Sequence, residues 1–350
     1  MQRRDFHKQL GALAMLATAP KILSAHSEAE ATTTIDVKPR RLEKGDTIGV
    51  ITPGSYISDK ALEKGIKNLE SLGLKVKLGQ HIRAQRGFTA GTDQQRLDDL
   101  HRMFEDREVQ GIWCARGGYG CTRLLPDIRY DIIRDNPKVF IGYSDITALL
   151  QAFHVETGLI GFHAAVASSD FTRYTRRYLR RILFEDKRRT EFEPSRGNRR
   201  RGKRDDLFKT RTITSGRARG RLFGGNLSLL AALAGTPWEL KAYNKLIFLE
   251  EVGEKPYRVD RMLTQLRQSA YLQNANGIAM GIFNGCEADR NDLSLTLQET
   301  LDDRVGSLQM PSTYGLSFGH IDDQIVLPVG IEAELDADSG RLTLLESAVR

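Results

Sequence analysis

One stretch, residues 138–150, constrains the fold more than any other part of the sequence; it reads Lys-Val-Phe-Ile-Gly-Tyr-Ser-Asp-Ile-Thr-Ala-Leu-Leu. Its apolar run 139–141 is typical of a buried parallel strand, and apolar residues then recur at helical spacing. Between the two, Gly142 and Ser144 lie in a strand-to-helix turn, which lifts a hydroxyl above a sheet edge beside a helix N-terminus. Because Ile146 replaces the second glycine of G-x-S-x-G, the stretch predicts either a serine nucleophile or a serine that only caps the helix.

Strands and helices alternate along the rest of the sequence. Local patterns predict strands over Thr47–Ile51, 74–78, 111–114, 158–163, 245–251 and 277–283, and helices after Ser58, over 93–104, over 293–301 and from Pro256. Such alternation favours parallel sheets covered by helices. We therefore predict an α/β fold: an N-terminal parallel-sheet domain with flanking helices, a C-terminal α/β domain, and the functional site between them.

The first 25 residues resemble a twin-arginine export signal. Arg3 and Arg4 precede a short apolar run over 11–19, and small residues over 23–25 offer a processing site. That run is shorter than the ~20 residues that span a bilayer, and no later stretch is apolar enough, so we expect no stable membrane insertion. A frayed amphipathic helix is the alternative interpretation. Export would carry a folded protein to the periplasm or outer surface; without a working signal the protein would be cytoplasmic.

At 350 residues the chain is long enough for two domains. The patterns predict five segments: an export signal over 1–25, a linker over 26–40, an N-terminal domain carrying Ser144 over 41–170, a basic connector over 171–214, and a C-terminal domain over 215–350.

The formal net charge of +7 does not by itself indicate a nucleic-acid partner. Much of the excess lies in the N-terminal segment and between Arg173 and Arg204, where arginines come in pairs and triplets. Both a solvated helix with a mobile connector and a polyanion-binding segment fit this run. We expect no nucleic acid; an anionic cell-wall polymer would suit an exported protein.

A glycine-rich loop over residues 115–120 directly follows a predicted strand. Its glycines let backbone N–H groups approach a ligand at the sheet edge where α/β folds bind. Because the loop has neither a P-loop lysine nor a G-x-G-x-x-G pattern, it indicates no nucleotide cofactor. With the Ser144 strand beside it, the loop and the N–H of Asp145 would form an oxyanion hole. Arg116 fits a substrate carboxylate or a surface ion pair equally well.

A serine hydroxyl needs a neighbouring base to attack a carbonyl, and that base needs an anion to fix its tautomer. His320 follows Gly319 in a polar stretch that suits a loop-borne imidazole. His163, at the end of a predicted strand, is interpreted as structural. The candidate carboxylates at the end of a buried strand are Glu250, Glu251 and Glu254.

The three cysteines, Cys114, Cys121 and Cys286, have neither the number nor the spacing of a disulfide framework or a zinc site. We expect all three to be packing residues. No metal site is predicted.

Seven motifs together resemble the LD-carboxypeptidase family of serine peptidases across about residues 40–345. They lie at 114–120, 123–125, 141–149, 224–227, 248–250, 256–261 and 319–320. Their order and gaps make the resemblance far more specific than any one motif.

The resemblance implies a two-domain α/β hydrolase that removes terminal D-alanine from murein tetrapeptide, cutting after an L-configured centre of diaminopimelate. It implies that Ser144 is the nucleophile, His320 the general base and acid, and Glu250 the residue that orients His320, with Glu251 and Glu254 close by as alternatives. The N–H groups of Gly118 and Asp145 would hold the oxyanion, and Arg116 and Gly117 would bind substrate. The implied reaction requires no metal and no cofactor.

Two features depart from the family pattern: its murein-recycling members are cytoplasmic, whereas this chain begins with an export-like segment, and residues 187–206 are unusually basic. Immunity peptidases of the same family cleave peptidyl nucleotides, so specificity on the acyl side stays open. A non-catalytic exported protein that binds cell-wall peptides is the alternative from another class. A homodimer is also left open.

Overall fold

The computed structural model describes residues 36–289 and 291–350. The predicted export signal and residues 26–35 of the predicted linker lie outside the described residues. The strands are β1 (Thr47–Ile51), β2 (Lys75–Leu78), β3 (Val109–Cys114), β4 (Val139–Gly142), β5 (Phe162–His163), β6 (Thr190–Phe192), β7 (Arg211–Thr214), β8 (Arg217–Asn226), β9 (Lys245–Glu250), β10 (Gly277–Met280), β11 (Ser312–Tyr314), β12 (Leu327–Pro328), β13 (Glu332–Asp336) and β14 (Arg341–Leu344). The helices are α1 (Asp59–Glu70), α2 (Asp93–Glu105), α3 (Tyr130–Asp135), α4 (Thr147–Thr157), α5 (Arg173–Leu183), α6 (Arg196–Arg201), α7 (Leu227–Ala232), α8 (Pro256–Ser269) and α9 (Leu297–Arg304).

The first sheet has the order β12-β5-β4-β3-β1-β2. Its five strands from the first half of the chain pair in parallel, as the alternation of strands and helices predicts, and helices α1 to α4 connect them. The sixth strand, β12, runs antiparallel to β5 and comes from the far C-terminal part of the chain. The α/β fold class is confirmed, with one antiparallel edge strand that the sequence did not reveal.

The second sheet has the order β6-β14-β13-β8-β9-β10-β11-β7. Its centre, β8 to β11, pairs in parallel, and its outer strands pair antiparallel. The fully buried run 246–249 of β9 explains the central place of that strand. In each sheet the parallel strands therefore end together at one carboxyl edge, and α/β folds place their functional sites at that edge.

The basic segment is more regular than the predicted connector. It forms α5, β6, α6 and β7, and both of its strands join the second sheet. Ser195 and Asn198 are buried and hydrogen-bond to Ser317 and Asp323, on either side of His320. Most of the arginines stay exposed, because the buried contacts of the segment are made by apolar residues of α5 and by Ser195 and Asn198.

Contacts between the two sheets pass close to the motifs. The backbone N–H of Asn226, the last residue of β8, donates to the Thr147 hydroxyl at the start of α4, at 3.1 Å. Gly225 has φ 149°, and a Cβ there would overlap the Thr147 side chain, so glycine is required for this approach. The chain near His320 pairs with the second sheet through Gly319 and Ile282, and then enters the first sheet as β12.

None of the helices in residues 36–289 and 291–350 combines the length and apolarity that crossing a bilayer requires.

Candidate active site

Ser144 lies in a turn of unusual backbone geometry between β4 and α4. Its φ is +64°, in the left-handed region that side chains rarely adopt, while Tyr143 before it is extended. A Cβ at Gly142 would lie 2.7 Å from the Ile146 side chain, so only glycine lets the strand end this close to the turn. Such a strained strand-to-helix turn is the form that exposes a nucleophile, and strain of this kind costs about 1–3 kcal/mol.

The glycine loop packs directly on this turn. A Cβ at Gly117 would lie 3.1 Å from the Ser144 Cβ and 3.4 Å from the Asp145 nitrogen, so the loop backbone covers the serine closely. Gly118 has φ 105°, which favours glycine. Neither the Gly118 N–H nor the Asp145 N–H donates a hydrogen bond to another described residue. Both amides are therefore free to bind a developing oxyanion.

The turn after β1 holds the loop in place through Ser55. The Ser55 N–H donates to the Gly117 carbonyl at 3.1 Å, and the Ser55 hydroxyl accepts from the Tyr119 N–H, also at 3.1 Å. The buried Asp145 carboxylate accepts from the Cys121 N–H at 3.0 Å, and burial raises the pKa of this carboxyl above its usual range. The sequence pattern indicated an oxyanion role for the backbone N–H of Asp145 and did not reveal the link of its carboxylate to the loop.

A buried guanidinium lies beneath the same loop. The Arg96 side chain is 1% exposed and donates to the carbonyls of Pro53 at 2.5 Å and Gly120 at 3.0 Å, and it pairs with Asp93. It thus joins the two loops at the sheet edge. Nothing in the helical spacing of α2 distinguishes Arg96 from a solvent-facing arginine.

His320 and Glu250 form a close pair. The Glu250 Oε2 lies 2.7 Å from the His320 Nδ1; the Glu250 side chain is fully buried, and the His320 side chain is 18% exposed. Gly319, with φ 111°, would place a Cβ 3.2 Å from the Glu250 Cβ, so glycine lets the histidine loop approach the carboxylate. Nδ1 therefore faces the carboxylate, and Nε2 is the nitrogen left for proton transfer.

The pKa values of this pair move in opposite directions. Burial alone would lower the pKa of the His320 imidazole, but the charge and hydrogen bond of Glu250 outweigh it and raise that pKa above its usual value. Burial alone would raise the pKa of Glu250, but His320 outweighs it and keeps that pKa below its usual value. The pair thus favours an ionised carboxylate that stabilises an imidazolium.

The other two candidate carboxylates have different partners. Glu251 is buried and accepts from the Asn226 amide, the Val252 N–H, and both the N–H and hydroxyl of Ser228, at 2.7–3.1 Å. Glu254 pairs with Arg258 at 3.2 Å. Of the three, the structure brings only Glu250 to His320.

Tyr143, the neighbour of Ser144 in the chain, packs against His320. The ring of Tyr143 lies 4.8 Å from the His320 ring, centroid to centroid, and Tyr143 directly precedes the serine. No hydrogen bond joins Ser144 to His320 among the described residues. Because catalytic hydrogen bonds often tighten only when substrate is bound, this arrangement suits a site that completes itself around its substrate.

The remaining predicted residues have simpler surroundings. Arg116 is half-buried and donates to the Tyr56 carbonyl at 3.0 Å, so its predicted role toward a substrate carboxylate stays a prediction. All three cysteines are buried and free, and burial raises the pKa of each thiol, which makes them poor nucleophiles. Over the described ranges, no group of three or more His, Cys, Asp or Glu side chains is placed to hold a metal ion.

Comparison with known proteins gives consistent matches over both halves of the chain. The family model of the LD-carboxypeptidase N-terminal domain matches residues 48–164, and that of the LD-carboxypeptidase C-terminal domain matches residues 219–335. A probable murein peptide carboxypeptidase of Bacillus subtilis strain 168 is 38% identical over 316 residues, which cover 90% of this chain and 96% of the relative. A murein tetrapeptide carboxypeptidase of Pseudomonas aeruginosa is 31% identical over 309 residues, 83% of this chain and 93% of the relative. Among solved structures, the MccF-like protein of Bacillus anthracis strain Ames is similar with a TM-score of 0.77 at 30% identity, covering 88% of this chain and 99% of that one.

Proposed function

The chain belongs to the LD-carboxypeptidase family and is a serine carboxypeptidase, and from this premise we propose that it releases the C-terminal D-alanine of murein tetrapeptide. The bond cut is the L,D bond that follows diaminopimelate. The observation that carries the proposal is the 2.7 Å pair of His320 and Glu250 beside the strained turn of Ser144. An oriented imidazole close to a serine hydroxyl is what acyl transfer by serine requires.

In the proposed first step, the Ser144 Oγ attacks the carbonyl carbon on the acyl side of D-alanine. The His320 Nε2 takes the hydroxyl proton, and the Gly118 and Asp145 amides hold the oxyanion. Each such donor typically lowers the barrier by about 2.7–4 kcal/mol. Collapse of the tetrahedral intermediate breaks the C–N bond, and the imidazolium gives its proton to the departing amine of D-alanine.

The second step releases the enzyme. Water attacks the Ser144 ester while His320 again accepts a proton, the C–Oγ bond breaks, and the proton returns to the serine oxygen. Throughout, Glu250 stays ionised and holds the imidazole by Nδ1, so that Nε2 faces the reacting atoms. Because the pKa of Glu250 is held low by His320, protonation of the carboxylate does not compete near neutral pH.

Release of D-alanine from defined murein peptides tests the proposal. The full chain is incubated with murein tripeptide, tetrapeptide and pentapeptide, and free D-alanine is followed with time. We expect release from the tetrapeptide, none from the tripeptide, and labelling of the protein by a fluorophosphonate probe, because the serine is activated.

The same assay separates the alternatives. Cleavage of a peptidyl nucleotide in place of the tetrapeptide would identify an immunity-type specificity. Binding of the tetrapeptide without D-alanine release and without fluorophosphonate labelling would instead identify a cell-wall peptide-binding protein and contradict the proposal.

We further propose, from the sequence of residues 1–25, that the protein is exported by a twin-arginine route. Arg3 and Arg4 before the short apolar run support it. Fractionation of cells that produce the full chain should find a shortened form outside the cytoplasm, and replacing both arginines by lysine should retain the full-length form inside. A full-length protein confined to the cytoplasm in both cases would contradict export.

A further inference from the structure

His163 is a buried histidine that the mechanism above does not use. Its side chain is 1% exposed, and neither ring nitrogen has a hydrogen-bond partner among the described residues. A buried polar group without a partner costs about 1–3 kcal/mol, and an imidazole must carry a proton on at least one nitrogen. A histidine at this position therefore costs free energy of folding that an apolar ring of similar size would not cost.

A second buried atom without a partner lies in the same cluster. Oε1 of Glu250 is buried and accepts no hydrogen bond from the described residues, whereas Oε2 of the same carboxylate pairs with His320. A carboxylate can accept hydrogen bonds on both oxygens, so Oε1 has capacity for a further donor. In the described part of the chain, Oε1 of Glu250 thus has no donor at hydrogen-bond distance, although the Asn226 side chain lies close enough to help lower the pKa of Glu250, and His163 has no acceptor.

The surrounding contacts place these two groups together. The His163 ring packs edge-on against Phe248 at 5.3 Å between centroids, and Phe248 is two residues before Glu250 on β9. On its other side it packs against Tyr143 at 5.9 Å, and Tyr143 in turn contacts His320. The charge of Glu250 acts on the pKa of His163, and the charge of His163 acts on that of Glu250, so the two groups lie within electrostatic reach.

We infer that His163 is a positioning residue that donates an N–H to Glu250 Oε1 through one bridging water, while His320 occupies Oε2. The inference rests on the proposed function, because it gives His163 a role in orienting the catalytic base. Burial lowers the pKa of His163 to about 4, so the ring is neutral near neutral pH and offers a donor without a competing positive charge.

The effect on the pH dependence of the enzyme has a definite sign. A donor to Oε1 stabilises the Glu250 anion most when His320 is neutral, because the imidazolium otherwise neutralises it. Removing the donor therefore raises the apparent pKa of His320, and the acid limb of kcat/KM moves to higher pH. Among the described residues, Glu251 acts on the pKa of His320 and Tyr143 lies beside Glu250, and both groups stay unchanged in the experiment.

The experiment compares His163→Phe, His163→Gln and a matched control, His154→Phe. His154 is also buried, has an unpartnered Nδ1, and packs edge-on against Phe223 at 4.8 Å, but lies outside the site. For His163→Phe we expect a fall in kcat of about 10- to 100-fold with KM little changed, as for partners that orient a reacting group, and an acid limb raised by about half a pH unit. His163→Gln keeps an N–H donor and should recover part of kcat and part of the position of the acid limb. His154→Phe should change neither kcat nor the acid limb.

A merely structural role would give a different result. If His163→Phe lowers only the melting temperature, or if both His163 variants lose activity equally with an unmoved acid limb, the inference is overturned. Should the phenylalanine variant not fold, nitrogen NMR of the histidines in the intact protein decides: Glu250→Gln should shift the His163 resonances, and unchanged resonances would overturn the inference. A wild-type protein that releases no D-alanine would contradict the proposed function, while the NMR measurement would still test the contact of His163 with Glu250.

Discussion

Replacing Ser144 by alanine is expected to abolish D-alanine release while the protein stays folded. The hydroxyl has no hydrogen bond within the described residues and alanine keeps the Cβ that packs on the glycine loop, so the variant should fold, whereas the reaction loses its nucleophile. In serine hydrolases removal of the nucleophile lowers kcat by on the order of 10⁴- to 10⁶-fold. The measurement is single-turnover and steady-state release of D-alanine from the tetrapeptide, together with fluorophosphonate labelling, which should disappear.

A matched serine provides the control for this variant. Ser339 is exposed in the turn between β13 and β14, and Ser339→Ala should leave both release and labelling unchanged. Retained turnover in Ser144→Ala would defeat the assignment of the nucleophile.

The strain at Ser144 gives the same prediction a second readout. Because φ is +64° at this residue, glycine fits the backbone better than either serine or alanine. Ser144→Gly should therefore be more stable to unfolding than Ser144→Ala by about 1 kcal/mol, although both are inactive. Equal stability of the two variants would show that the turn relaxes in solution and stores no strain.

The sequence predicted the parts of this site that depend on local pattern. The strand over Val139–Gly142, the turn at Ser144 and the helix after it follow from a short apolar run, one glycine and helical spacing, all within a dozen residues. The cap of α1 by Ser58 is local in the same way and is present as predicted. The fold class followed because alternating strands and helices have few ways to pack.

What the sequence could not provide depends on contacts between distant segments. The strand predicted over 158–163 is only Phe162–His163 in the structure, where it pairs with β4 and with β12, which arrives from the far end of the sequence. The helix predicted over 293–301 begins at Leu297 instead, where Thr296 and Glu299 form a capping box. Arg96 has a polar side chain on an amphipathic helix, and only the assembled loops reveal that it is buried.

The choice among Glu250, Glu251 and Glu254 shows most clearly what the sequence alone cannot predict. Successive residues of a strand face opposite sides, so Glu250 and Glu251 cannot both reach one histidine. Which of them does depends on the register of β9 against β8 and on the path of the loop that carries His320. Neither can be read from residues 245–254 alone.

Glu250→Gln is expected to lower kcat by on the order of 10³- to 10⁴-fold with little change in folding. A glutamine side chain presents an NH₂ group to Nδ1 as readily as a carbonyl, so His320 can adopt the tautomer with the proton on Nε2, which cannot accept the serine proton. The charge that stabilises the imidazolium is also lost, so the pKa of His320 should fall and the acid limb of any residual activity should move to lower pH.

Glu251→Gln is the control that tests whether the loss of kcat is specific to Glu250. Glu251 accepts four hydrogen bonds from the start of α7 and its surroundings, so its replacement should lower the free energy of unfolding by about 1–3 kcal/mol and change kcat by less than about tenfold. Steady-state kinetics and urea unfolding of the two variants therefore separate orientation of the base from support of the fold. If Glu251→Gln lost kcat as severely as Glu250→Gln, or if Glu250→Gln kept it, the carboxylate behind His320 in the working enzyme would not be Glu250. The buried His320–Glu250 pair would then be a structural contact that the substrate rearranges.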